Sequence, residues 1–85
     1  MDTPDTAIIT VVCADEGVKI DMELPTSLSV GKVKGKILEA LRNVYAGKFL
    51  DWSECQMIYA NRILKDEETL SGVGAFDGQY LNIVR

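Results

Sequence analysis

The chain has 85 residues, 47% of them hydrophobic and 26% charged, with a net charge of -4. That is enough for one domain around one core, too apolar for a disordered chain, and too acidic for a nucleic-acid backbone or an anionic membrane surface as main partner. With no histidine and no C-x-x-C spacing of Cys13 and Cys55, the residues offer no zinc site and no Ser-His or Cys-His nucleophile pair.

Residues 1–6 read as a short disordered lead, because Asp2, Pro4 and Asp5 oppose regular structure and nothing there anchors a core. They lack the basic and apolar regions of a signal peptide, and no apolar run approaches the ~20 residues of a membrane-spanning helix. A cytoplasmic location follows as the simplest expectation, with both thiols reduced and buried as small hydrophobes.

Ile8 to Cys13 is rich in β-branched residues and predicts a strand with Ile9, Val11 and Cys13 inward. Ala14-Asp15-Glu16-Gly17 supplies a turn. Val18 to Leu24 then alternates, with Ile20, Met22 and Leu24 on one face and Lys19, Asp21 and Glu23 on the other. The two runs form a hairpin that Pro25 ends.

A helix follows, with Ser29 as its expected N-cap and an apolar stripe of Val30, Val33, Ile37, Leu41 and Val44. It should stop before Gly47, read as a glycine just past the helix end. Gly31 and Gly35 weaken it unless close packing requires them. Five of the nine basic residues, Lys32, Lys34, Lys36, Arg42 and Lys48, lie in this stretch. Lys32 and Lys36 sit opposite the stripe, as a solvated face or a partner-docking patch. Lys34 falls at the flank of the stripe and needs an acidic partner or a route to water.

Phe49 to Ser53 is an apolar connection in which Trp52 is either a lid over the core or an exposed binding anchor. Gln56 to Ala60 predicts a third strand, Asn61-Arg62 a tight turn and Ile63-Leu64 a short fourth strand. Thr69-Leu70-Ser71 suits a helical turn around a buried Leu70. Asp77-Gly78 is a turn signal before a last strand, Gln79 to Val84, with Leu81 and Ile83 inward. The order of elements implies an α+β domain over residues 7–85, one helix on one face of a mixed sheet.

Several of these segments resemble ubiquitin and its relatives, the β-grasp fold. Ser29 to Ile37 is similar to the start of the ubiquitin helix, and Met57 to Leu64 to its third strand, turn and short fourth strand. Thr69-Leu70-Ser71 is similar to its T-L-S turn and Tyr80 to Val84 to its last strand. The resemblance implies a sheet of four to five strands. A narrower resemblance is to the EsaB/YukD group, carried by Asp21-Met22-Glu23-Leu24-Pro25, Val30, Leu38-Glu39-Ala40-Leu41, Gly72-Val73 and Asp77-Gly78-Gln79-Tyr80-Leu81. It implies a non-enzymatic, cofactor-free accessory of type VII secretion, with the secretion ATPase or membrane components as protein partners and no insertion into the membrane. A general ubiquitin-like adaptor unrelated to secretion is the alternative; the oligomeric state stays open.

The resemblance also assigns positions. Ubiquitin's apolar recognition patch maps onto Ile58, Asn82 and Val84, with Asp15 near its hairpin-loop member, so the patch is incomplete. A largely buried lysine paired with an acid maps onto Lys34 and Asp66, as a structural ion pair whose loss should cost more than a surface change. The chain stops at Arg85 without a Gly-Gly tail, so conjugation is not expected.

Overall fold

The structure, a computed structural model, describes residues 6–52 and 54–84. The expected lead lies outside the described residues except for Thr6, which opens the first strand. Strands β1 (Thr6–Cys13) and β2 (Val18–Pro25) pair antiparallel along their whole length, from Thr6 opposite Pro25 to Cys13 opposite Val18. The alternation is the cause: Ala7, Ile9, Val11 and Cys13 bury on one side, and Val18, Met22 and Leu24 join them from β2. Between the strands, Ala14–Glu16 form a 3₁₀ turn that Gly17 closes at φ +66°, a left-handed conformation that glycine adopts without strain.

Helix α1 (Val30–Val44) lays Val30, Val33, Ile37, Leu38 and Leu41 on the inner face of the sheet. Ser29 is the N-cap residue, as expected, but its capping bond and the reach of the apolar stripe differ from expectation. The Ser29 hydroxyl makes no capping bond; its backbone carbonyl accepts from Lys32 and Val33, each at 3.0 Å. The Val30 N–H donates to Glu68 O at 2.6 Å and the Gly31 N–H to Asp66 O at 3.0 Å. A distant loop thus satisfies the first-turn donors that a local side chain was expected to satisfy. At the other end the core contact of the stripe stops at Leu41, and Val44 is 58% exposed. Tyr45 ends the helix, its N–H donating to Leu41 O at 2.8 Å, and Gly47 at φ +85° comes two residues later.

The two helix glycines differ. A Cβ on Gly31 would stand 3.4 Å from Asp66 Cβ, so the loop packs closely there, whereas a Cβ on Gly35 would meet nothing within 4 Å. Gly35→Ala is therefore expected to stabilise the domain by about 0.5–1 kcal/mol through helix propensity alone, read as a raised urea midpoint with an unchanged m-value.

Strands β3 (Gln56–Tyr59), β4 (Arg62–Ile63) and β5 (Tyr80–Val84) complete a five-stranded sheet of order β2-β1-β5-β3-β4. The β1–β5 pair is parallel and the others antiparallel, giving the mixed sheet expected. The β3–β4 turn is Ala60-Asn61, both at positive φ (52° and 65°), one residue earlier than the Asn61-Arg62 turn expected. That conformation matches the twist of a two-residue hairpin, and it sets Ile58 opposite Ile63.

Leu70 is fully buried within its turn, where the Ala75 N–H donates to its carbonyl at 2.9 Å. Asp77 Oδ1 accepts from the Ile8 N–H at 2.7 Å, tying the turn before β5 to the start of β1. Trp52 is a lid: it is 1% exposed and meets Phe49 edge to face, centroids 5.3 Å apart. Cys13 and Cys55 are free thiols buried in the same core. No helix among the described residues is long and apolar enough to cross a membrane.

Candidate docking surface

The strand registers align side chains into rows on the outer face, the side away from α1. Lys19 stands opposite Val12, Val12 beside Asn82, Asn82 opposite Ile58, and Ile58 opposite Ile63. Because each is the neighbour of the next across the sheet, their side chains share one face. Ile63 is 53% exposed, while Ile58 and Val12 are half-buried by their neighbours. The adjacent row carries Asp21, Thr10 and Tyr80; on the far side Val84 faces Gln56. Lys19 Nζ lies 5.4 Å from the Tyr80 ring centroid, and Thr10 Oγ1 donates to Asp21 Oδ1 at 2.7 Å.

Ile58, Asn82 and Val84 therefore lie on one surface, with Ile58 and Asn82 in direct register. Sequence reasoning missed Ile63 and Val12 as members. The loop confined to Ala60-Asn61 sets Ile63 opposite Ile58; the turn expected one residue later would have set it opposite residue 60, on the same face. Lys32 and Lys36 are exposed on α1, on the opposite side of the molecule, so these two lysines do not join the apolar row. Asp15 is exposed in the first hairpin turn.

The polar groups around the start of α1 form a second, distinct arrangement. Lys34 Nζ donates to Cys55 O at 3.0 Å and lies 3.4 Å from Asp66 Oδ1. The lysine side chain is 19% exposed but the Asp66 side chain is 72% exposed. Solvent screens such a pair, and the carbonyl keeps Lys34 partnered without it. Asp66→Asn is accordingly expected to cost at most about 1 kcal/mol in urea unfolding, less than the sequence reading expected.

Glu68 is more firmly held. Its Oε2 accepts from Arg62 Nη2 at 2.8 Å and its Oε1 from the Lys65 N–H at 2.8 Å. The Lys65 amide first, and then the Arg62 guanidinium, hold its carboxyl below the usual range. A depressed folded value means stability that is present above the unfolded Glu value of about 4.3 and is lost as pH falls through that value and the lower folded one. Glu68→Gln should flatten the acid limb of a stability-against-pH curve over that window, measured by urea titration at each pH.

The fold recurs in known structures. The ubiquitin of Caldiarchaeum subterraneum superposes with a TM-score of 0.72 at 28% identity, covering 92% of this chain and 90% of that one. A designed protein based on ubiquitin matches at 0.69 and 17% identity over 96% and 90% of the two chains. The N-terminal ubiquitin-like domain of the 4931431F19Rik protein matches at 0.67 and 16% identity over 96% and 76%. No family model matches the chain, and neither does any curated protein. The fold is the ubiquitin-like β-grasp, α+β with one main helix on a mixed five-stranded sheet.

Proposed function

We propose that the chain is a non-catalytic ubiquitin-like interaction module that docks a protein partner on the outer face of its sheet. The observation that carries this reading is the row Val12, Asn82, Ile58, Ile63. These are exposed or half-exposed, largely apolar side chains on one face of the sheet, aligned by register and outside the buried core cluster. The reading extends to a setting: a cytoplasmic accessory component of a bacterial type VII secretion system, supported by the EsaB/YukD-like segments from Asp21 to Pro25 and from Asp77 to Leu81. Its partner is then the secretion ATPase or a membrane component of that system, engaged without insertion into the bilayer.

Affinity capture with the tagged full-length chain from its native cells tests both levels, with Ile58→Asp/Ile63→Asp as the control. Enrichment of the secretion ATPase or its membrane partners by the wild type, and its loss with the double variant, is the expected result. Equal capture by the variant would remove the sheet face from the reading. Capture of a defined partner from another system would retain the interaction module and remove the secretion role.

A further inference from the structure

Strand β2 is an eight-residue edge strand, and its backbone directions can be read from its neighbour. The Thr10 N–H donates to Gln79 O at 2.9 Å and the Ile8 carbonyl accepts from the Gly78 N–H at 3.1 Å. Even-numbered residues of β1 thus turn their peptide groups toward β5, and odd-numbered ones toward β2. The pairs Ile8–Glu23, Thr10–Asp21 and Val12–Lys19 are then the non-hydrogen-bonded pairs of the hairpin. Lys19, Asp21 and Glu23 consequently point their N–H and C=O groups outward, along the free edge.

Exposed edges are commonly blunted by charged side chains. Here the signs are mixed, and they complement themselves in one register. Consider a second copy of β2 laid antiparallel against the first with the two-fold axis at Ile20. Lys19 then faces Asp21 of the partner subunit, and Asp21 faces the partner's Lys19. Glu23 meets the partner's Gly17, so no like charges oppose each other. A shift of the axis to Asp21 would set that carboxylate against its own copy, and a shift to Met22 would oppose Asp21 and the partner's Glu23 twice. Both residues of each facing pair point their peptide groups into the new seam, so four backbone hydrogen bonds form there. Ile20, half-buried in the single chain, meets the partner's Ile20 on the helix side.

We infer that this edge pairs with a second copy of the same chain, β2 against β2 in the Ile20-centred register. The dimer is one continuous sheet, five strands from each copy, with both outer faces turned to the same side. It rests on a short seam, so it is weak and concentration-dependent.

Sedimentation equilibrium of the full chain between about 10 μM and 1 mM tests it. A reversible dimer is expected. Asp21→Lys places lysine opposite lysine at both ends of the seam and should weaken it roughly tenfold or more. The charge-swapped Lys19→Asp/Asp21→Lys chain should recover to within about threefold of the wild type. These positions are solvent-exposed, and circular dichroism would verify that each variant folds. A monomer throughout the range, a dimer that Asp21→Lys leaves equally tight, or a swap that stays as weak as the single change would each overturn the inference. Ile58→Asp/Ile63→Asp should leave the dimer intact, so loss of partner docking and loss of self-pairing are separate results.

Discussion

Replacing Trp52 with alanine is expected to destabilise the domain by about 3–5 kcal/mol, the largest effect of any single substitution considered. The indole is 1% exposed and closes the core from a connecting loop, edge to face with the equally buried Phe49. Phe49 is itself held at φ 63°, a conformation that costs a non-glycine residue strain, and the Arg42 side chain donates to its carbonyl at 2.9 Å. Removing the indole leaves a void on one side and takes from the strained residue one of its two aromatic neighbours, Tyr45 being the other. A domain of this size has only about 5–15 kcal/mol to lose, so Trp52→Ala should be partly unfolded near physiological temperature. Trp52→Phe keeps a ring in place and should cost much less. Urea unfolding followed by circular dichroism separates the two; a Trp52→Ala loss under about 1 kcal/mol would show that the ring is not part of the core.

The two thiols should react only when the molecule opens. Cys13 and Cys55 are 0% and 1% exposed, and burial is the foremost reason that both thiols are pushed above their ordinary range. Their carboxamidomethylation by iodoacetamide in native buffer is expected to run at least about a thousandfold slower than in urea, limited by the population of open states. The same displacement gives a pH dependence. A folded value raised above the unfolded one leaves stability intact below the unfolded thiol value of about 8.5 and erodes it as pH climbs through the folded values. Rapid labelling of either cysteine at neutral pH would mean that its end of the core opens locally.

Much of this architecture was legible in local patterns. Period-two alternation placed Ile9, Val11, Cys13, Met22, Leu24, Leu81 and Ile83 inward, and the 3.6-residue stripe placed the helix from Val30 through Leu41. What escaped was non-local. The helix start resembles a local serine cap, yet its donors are met by carbonyls of residues 66 and 68, which no short window around Ser29 reveals. Val44 continues the stripe, but periodicity says nothing about where the core stops beneath a helix. The surface row was half visible: Ile58 and Asn82 came from resemblance, while the neighbours that Val12 and Ile63 meet across the sheet came only with the strand pairing.

The parallel pairing of β1 with β5 governs when the molecule can come into being. Residues 10–12 lie directly against residues 80–82 in the middle of the sheet, so the first strand waits about seventy residues for its central neighbour. Joining segments that far apart costs roughly 4 kcal/mol of chain entropy before any burial offsets it. During synthesis the β1–β2 hairpin and the helix leave the ribosome with their apolar sides uncovered, and the core cannot close until β5 has emerged. For that interval the growing chain carries exposed apolar surface, and folding waits for residues 80–84 to emerge.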